Sequence, residues 1–351
     1  MAQERSSHRI AVLGAGAFGT ALACLLARQG KPCCLWARSK KIAQAINQQH
    51  QHPTRLKEVV LPNNIVATNS LTEALTHAQL VLSALPMHAL QQVWQEAAVH
   101  VADGSTIVST TKGIAHATML LGSDVIEQAL AAHNKSAAVA CLSGPSFAIE
   151  VAKQLPTAVT VAAAQPAVAQ QVQQQLSTDR FRCYSSSDMR GLQLAAALKN
   201  VVAIASGIAV GLQLGHNAQA ALVSRGLAEM VRLGSKLGAD RSTFYGLGGI
   251  GDLVLTCTGS LSRNRCVGVQ LAQGKSLQAV LRQLGEVAEG VHTARSIAQL
   301  SEKHGVAMPI CEGVCRVLFE QADARKVVGD LLRRQLKQEA EPTDSKRPTA
   351  S

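Results

Sequence analysis

The chain has 351 residues, of which 47% are hydrophobic and 16% are charged, and its formal net charge is +11. This composition excludes an intrinsically disordered protein, and the length is sufficient for two domains with separate cores. Only 3% of the residues are aromatic, so a nucleic-acid-binding surface built on base stacking is not expected. The excess positive charge suits an enzyme that attracts phosphorylated small molecules.

The N-terminal half alternates short apolar runs with helix-compatible spacers, as parallel βαβ units do when helices cover both faces of the sheet. Residues 1–193 are therefore predicted to form a doubly wound α/β domain of the Rossmann type. The stretch between the second and third of the predicted strands is expected to be helical. The strands are predicted at RIAVLGAG, CCLWAR, LVLSALP, TIVSTTKG, AVACLSGP and AVTVAAA.

The strand pattern ends near residue 190, and helical patterns continue to about residue 335. Residues 194–336 are predicted to form an all-helical second domain, interrupted at GLGGIGD and GEVAEG. The polar, proline-containing residues 337–351 are predicted to be a disordered tail.

Cysteine usage and the first residues indicate a cytoplasmic protein. Nine cysteines occur without a CxxC pair, so buried free thiols are expected rather than disulfides or a metal site. The opening MAQERSSHRI lacks the apolar region of a secretory signal.

One charged residue, Lys199, lies within the apolar run LAAALKNVVAIASGIAVGL. A membrane span, a packed core helix and an active-site base are the three alternatives. A lysine near the centre of a span costs about 2.5–3.5 kcal/mol on insertion scales, which argues against membrane insertion. On a helix, Lys199 shares its face with Ala195, Ala196, Ala203 and Ser206, which are all small. This face favours a side chain that lines a cavity.

The segment GAGAFG follows the first predicted strand and places Gly14, Gly16 and Gly19 in G-x-G-x-x-G spacing. Such a strand–turn–helix segment binds the pyrophosphate of a dinucleotide at the helix N-terminus. Where an NAD-specific site has an acidic residue after the second strand, this chain has Arg38. Its guanidinium suits a 2′-phosphate, so NADPH is favoured over NADH.

Polar residues follow later strands, at the edge where ligands bind in such folds. Lys112 follows one strand, and Ser146 lies in SGPSFA after another. In the helical half, Asp252 follows a glycine-rich turn. The segment SRNR places Ser262, Arg263 and Asn264 as a cluster of donors suited to phosphate oxygens.

Together these segments make the chain similar to the bacterial NAD(P)-dependent glycerol-3-phosphate dehydrogenase family from about residue 8 to residue 335. The segments that carry the resemblance are GAGAFGTALA, TKG, SGPSFAIEV, LKNVVAI, ALVSRGLAEM, GIGDLVLTCT, SRNR and AEG. The resemblance implies reduction of dihydroxyacetone phosphate to sn-glycerol 3-phosphate by NADPH or NADH, for phospholipid biosynthesis. The resemblance leaves open whether the protein forms a homodimer.

The resemblance also implies a role for each matching residue. Lys199 would be the catalytic acid/base, and Lys112 and Arg263 would touch both ligands. The other substrate residues would be Gly144, Ser146, Asp252, Ser262 and Asn264, and the other cofactor residues Gly14, Gly16, Ala17, Phe18, Gly19, Arg38, Ala148, Val287 and Glu289.

Gln219 departs from the family pattern, because a basic residue is usual there. A reductase of the β-hydroxyacid or ketopantoate type, which also carries a helix-borne lysine, is the nearest enzymatic alternative. A dinucleotide sensor without catalysis is the alternative from another class. The SRNR cluster argues for a phosphorylated substrate, and a sensor gives no reason to place Lys199, Asp252 and Asn264 in one site.

Overall fold

A computed structural model describes residues 9–285, 288–336 and 338 of the chain. Its N-terminal part contains an eight-stranded sheet in the order β3-β2-β1-β4-β5-β6-β7-β8. The strands are β1 (Ile10–Leu13), β2 (Cys33–Trp36), β3 (Ile65–Thr68), β4 (Leu80–Ser83), β5 (Thr106–Ser109), β6 (Ala138–Ser143), β7 (Thr157–Ala163) and β8 (Phe181–Ser186).

Helices accompany the sheet and then form the second part of the molecule. Those of the first part are α1 (Ala17–Arg28), α2 (Lys40–Gln49), α3 (Leu71–Leu75), α4 (Met87–Ala97), α5 (Gly122–Ala132), α6 (Ala148–Ala152) and α7 (Pro166–Leu176). Those of the second are α8 (Met189–Gly211), α9 (Gly215–Lys236), α10 (Asp252–Thr258), α11 (Arg263–Ala272), α12 (Leu277–Leu284), α13 (Glu289–His304), α14 (Pro309–Phe319) and α15 (Ala324–Leu332). The predicted Rossmann-type sheet and helical C-terminal part are both confirmed.

The sheet departs from the sequence expectation in three places. The pair β6–β7 is antiparallel rather than parallel. Because an antiparallel neighbour needs no crossover, the connection that contains α6 stays at the carboxyl end of β6. Strands β3 and β8 were not among the predicted strands. Strand β3 (IVAT) and strand β8 (FRCYSS) are the two edge strands, and β8 is largely polar.

Helix α8 is the central element of the helical part and begins before the predicted boundary at residue 194. Its small residues allow neighbouring backbones to approach closely. A Cβ on Gly207 would lie 2.0 Å from the carbonyl oxygen of Arg265, and one on Gly268 would lie 2.0 Å from that of Ile204. These two glycines therefore let α8 and α11 pack backbone against backbone.

In the described part of the chain, only α8 is long and apolar enough to cross a membrane by length and composition. However, 89% of its apolar window is buried inside the protein, as in a core helix. All nine cysteines lie in the described part and are free thiols, seven of them buried. Burial raises the pKa of thiols such as Cys24, to about 11, which keeps them protonated.

Candidate active site

The glycine-rich turn joins β1 to α1, as the sequence predicts. Gly14 has φ +106°, and a Cβ on Gly19 would lie 2.0 Å from the Gly14 carbonyl oxygen, so the tight turn requires both glycines. Gly16 is the N-cap of α1, and beyond its own turn and helix nothing described comes within 4 Å of where its Cβ would stand. This open space at a helix N-terminus fits the pyrophosphate of a dinucleotide.

Further residues proposed for the cofactor lie on α1, after β2 and on α6. Ala17 and Phe18 begin α1 and are half-buried, and Arg38 is exposed just beyond the end of β2. Ala148 begins α6. Val287 lies outside the described residues.

Lys112, Asp252 and Lys199 meet where the two parts of the molecule face each other. The Nζ of Lys199 lies 2.6 Å from Asp252 Oδ1, and the Nζ of Lys112 lies 2.7 Å from Asp252 Oδ2. Lys199 is 4% exposed and Asp252 is 1% exposed. One buried carboxylate therefore pairs with two ammonium groups. Lys199, which the sequence favoured as lining a cavity, is packed against Asp252 at the start of α10.

Burial and charge set the protonation of this cluster. Burial lowers the pKa of Lys199 to about 7; the carboxylate of Asp252 opposes this shift and the ammonium of Lys112 adds to it. Burial alone would raise the pKa of Asp252, but the two lysines outweigh burial and keep it below its ordinary value. Lys199 can therefore hold or release a proton near neutral pH while Asp252 stays ionised.

The loop after β6 completes this edge of the site. Lys112 Nζ donates to the carbonyl oxygen of Gly144 at 3.3 Å, and the hydroxyl of Ser146 donates to the same oxygen at 2.9 Å. Ser143 precedes them with its hydroxyl 3.5 Å from Asp252 Oδ2. The antiparallel return of β7 is what keeps this loop beside the lysines.

The SRNR segment forms the N-terminus of α11. Ser262 is its N-cap and accepts the backbone N–H of Arg265 at 3.2 Å. Asn264 is buried; its Nδ2 donates to Asn200 Oδ1 at 2.9 Å, and its Oδ1 accepts the N–H of Gly290 at 3.0 Å. Within the described part of the chain, the Ser262 hydroxyl and the second Asn264 N–H donate to no other group, and they lie beside the backbone amides of a helix N-terminus.

Glu289 joins the two parts of the molecule. Its Oε1 accepts the backbone N–H of Met87, the first residue of α4, at 3.1 Å. Burial raises the pKa of Glu289 to about 7, although this N–H and the charge of Arg263 oppose the shift. The carboxylate thus lies at the N-terminus of α4, beyond the end of β4.

Two side chains of this site were not predicted from the sequence. Thr256 accepts a hydrogen bond from Lys199 Nζ at 2.8 Å and donates to the Asp252 carbonyl oxygen at 2.6 Å. Asn200 donates to the carbonyl oxygen of Lys112 at 3.3 Å. Thr256 could have been predicted as a site residue from its position one helical turn after Asp252.

Gln219, the departure noted in the sequence, contacts α8 and α10, the helices that carry Lys199 and Asp252. Its Nε2 donates to Ser206 Oγ and to the Cys257 carbonyl oxygen, each at 3.2 Å. Among the residues that the structure describes, no group of three or more His, Cys, Asp or Glu side chains is placed to hold a metal ion.

Family models and known proteins agree on the relationship. The model for the N-terminus of NAD-dependent glycerol-3-phosphate dehydrogenase matches residues 9–169, and the model for its C-terminus matches residues 188–329. Over 331 residues the chain is 46% identical to a glycerol-3-phosphate dehydrogenase (NAD(P)+) of Myxococcus xanthus, which covers 94% of this chain and 98% of that protein.

Solved structures separate the family from its nearest alternative. The crystal structure of glycerol-3-phosphate dehydrogenase from Coxiella burnetii matches with a TM-score of 0.88 and 36% identity, over 93% of this chain and 99% of that one. A ketopantoate reductase from Ralstonia eutropha matches with a TM-score of 0.57 and 15% identity, over 91% and 99%, and shares the fold alone. The chain belongs to the NAD-dependent glycerol-3-phosphate dehydrogenase family.

Proposed function

We propose that the protein catalyses the reversible, NAD(P)H-dependent reduction of dihydroxyacetone phosphate to sn-glycerol 3-phosphate. The observation that carries this proposal is the Lys112–Asp252–Lys199 cluster, in which one buried carboxylate pairs with two lysines, in a chain that also has a dinucleotide turn and the donor-rich N-terminus of α11. A bound nicotinamide would supply the hydride for reduction at C2 of the substrate.

Lys199 acts as the acid in reduction. Negative charge develops on the carbonyl oxygen as C2 is reduced, and the Lys199 ammonium stabilises that charge and donates its proton. In the reverse direction the neutral amine accepts the proton from the alcohol. Asp252 and Thr256 fix the Nζ of Lys199 in position, at 2.6 and 2.8 Å. Lys112, held by Asp252 and Gly144, lies where it can contact both ligands.

The substrate phosphate binds at the N-terminus of α11. The donors at this helix end are the backbone amides together with three side-chain groups, and all of them favour an anion. The side-chain groups are the Ser262 hydroxyl, the Asn264 amide and the Arg263 guanidinium. Gly144 and Ser146, which lie beside Lys112 in the loop after β6, are the further substrate residues of this proposal. For the cofactor, the contacts that the family resemblance implies are carried over as part of this proposal: Gly14, Gly16, Ala17, Phe18, Gly19, Arg38, Ala148, Val287 and Glu289.

The loss of NADPH absorbance tests the activity. We expect turnover with dihydroxyacetone phosphate and none with ketopantoate or without substrate. Turnover with ketopantoate instead would favour the alternative reductase, and NADPH binding without turnover on either substrate would favour a sensor. In the cell, we place this activity in the cytoplasm, without membrane insertion, as a source of glycerol 3-phosphate for phospholipids.

Reversing the charge of Arg38 is expected to weaken the preference for NADPH. A charge-assisted hydrogen bond to phosphate contributes about 1.5–3 kcal/mol, so Arg38→Asp should lower the NADPH/NADH ratio of kcat/KM roughly ten- to a hundredfold. The exposed Lys40 and Lys41 follow closely in the chain and can partly replace the charge of Arg38, so a decrease of about tenfold is expected. Arg325→Asp, on the exposed face of α15, is the control. A ratio that does not change in Arg38→Asp would place this guanidinium away from the cofactor.

Removing the guanidinium of Arg263 is expected to weaken binding of the substrate phosphate. Arg263→Ala should raise KM for dihydroxyacetone phosphate about ten- to a hundredfold, by the loss of one charge-assisted contact. Unphosphorylated dihydroxyacetone should be a poor substrate of the wild type and should be affected little by the substitution. Arg282→Ala, exposed on α12, is the control. Equal effects on both substrates would contradict a phosphate contact.

A further inference from the structure

Side chains of α8 and α9 meet at the carboxyl end of α10. Ser206 of α8 is fully buried, and its hydroxyl donates to the Cys257 carbonyl oxygen at 2.9 Å. Gln219 of α9 is half-buried, and its Nε2 donates to the same carbonyl oxygen and to Ser206 Oγ, each at 3.2 Å. Cys257 lies in the last turn of α10, where carbonyl groups lack partners inside the helix. The two side chains therefore cap the C-terminus of α10.

Helix α10 depends on such contacts for its position. It has only seven residues, and a helix of this length is marginal unless other elements hold it. The side chains of Leu253 and Cys257 are fully buried against the helical core, but apolar contacts are not directional. The hydrogen bonds at the Cys257 carbonyl oxygen are directional, and they therefore fix where this end of α10 lies on α8 and α9.

The same short helix carries the groups that hold the catalytic lysine. The Nζ of Lys199 lies 2.6 Å from Asp252 Oδ1 and 2.8 Å from Thr256 Oγ1, and both residues belong to α10. Ser206 follows Lys199 on α8 by about two turns and so lies on the same face of that helix. Helix α10 is thus fastened to this face at two points, and Cys257, the second point, directly follows Thr256. A shift at Cys257 moves the hydroxyl that contacts the lysine.

We propose that Gln219 is a positioning residue of the reaction, which together with Ser206 fixes α10 and so holds the Nζ of Lys199 in place for proton transfer. Its action passes through Asp252 and Thr256, the residues of α10 that contact this Nζ. The inference rests on the proposed function. Because glutamine is neutral, it supplies the N–H donor without adding a further positive charge to a site that already has two lysines.

Replacing Gln219 by methionine tests this role, because methionine is similar in length and helix propensity but donates no hydrogen bond. In Gln219→Met, kcat with dihydroxyacetone phosphate should fall about three- to tenfold, the effect of losing one hydrogen bond that holds the acid in place. The Kd for NADPH, measured by fluorescence titration without substrate, should stay within about twofold. Ser206→Ala removes the other donor to the Cys257 carbonyl oxygen and should lower kcat in the same way.

The pH profile separates a positioning role from a contribution to stability alone. The charged groups that act on Lys199 are Asp252 of α10 and Lys112 after β5, and the Cys257 thiol stays neutral because burial raises its pKa to about 12. If α10 shifts, the carboxylate that favours the Lys199 ammonium moves away and the pKa of Lys199 falls further. The kcat/KM for dihydroxyacetone phosphate should therefore drop to half of its maximum at a lower pH in Gln219→Met than in the wild type.

Gln173→Met is the matched control. Gln173 is also a half-buried glutamine, and its Nε2 donates to the Cys183 carbonyl oxygen at 2.9 Å, between α7 and β8. This variant should lose stability and keep the kcat and pH profile of the wild type. If Gln219→Met behaves in the same way, with unchanged kcat and pH profile whatever its Tm, the proposal is overturned. A wild type without turnover on dihydroxyacetone phosphate would instead contradict the proposed function, so the two failures are distinguishable.

Discussion

Replacing Lys199 by alanine is expected to lower kcat by roughly 10²–10⁴, the usual contribution of a general acid, while the protein still folds and binds NADPH. Alanine suits an interior helix position, and Asp252 keeps its 2.7 Å pair with Lys112, so no buried carboxylate is left unpaired. Lys236→Ala, exposed at the end of α9, is the control. Near-wild-type kcat in Lys199→Ala would refute its role as the acid.

The role of Lys199 as the acid also predicts how kcat/KM changes with pH in each direction of the reaction. Because the pKa of Lys199 is lowered to about 7, the ammonium needed for reduction is lost as the pH rises through that value. The kcat/KM for dihydroxyacetone phosphate should therefore fall above about pH 7, whereas that for glycerol 3-phosphate oxidation should rise. The residual activity of Lys199→Ala should lack both changes.

The sequence was sufficient to predict the parts of the site that follow from a single rule of local structure. Gly14, Gly16 and Gly19 form the expected turn, because strand, turn and helix are contiguous in the chain. Lys112 and Gly144 lie close together because the strands before them end at the same edge of the sheet.

Contacts between helices could not be derived in the same way. Thr256 meets Lys199 only because α10 packs across α8, and Asn200 reaches Asn264 only because glycines bring α8 and α11 together. The sequence favoured an open space in front of Lys199 because its helical neighbours are small. In the structure, other helices pack against α8, and the Nζ of Lys199 pairs with Asp252. Periodicity describes the faces of one helix and not the partners that cover them.

Replacing Asp252 by asparagine is expected to have the largest effect on stability. The substitution leaves two lysines facing each other without their carboxylate, and breaking a buried ion pair in this way costs about 3–5 kcal/mol. Lys199 can release its proton and relieve part of this cost, because Asp252 was the group that raised its pKa. The loss of stability should therefore be greater at pH 6 than at pH 9, where the Lys199 amine is neutral in both proteins.

Urea unfolding of the protein without cofactor, at both pH values, measures this loss. Asp330→Asn is the matched control, because Asp330 pairs with Arg316 at 3.0 Å on the exposed surface, where an ion pair contributes about 0–1 kcal/mol. The remaining reductase activity of Asp252→Asn should also reach its half-maximal value at a lower pH than in the wild type, because the pKa of Lys199 falls further without the carboxylate. An unchanged unfolding midpoint together with an unchanged pH profile would mean that Asp252 does not hold the two lysines, and the protonation of Lys199 would then need another cause.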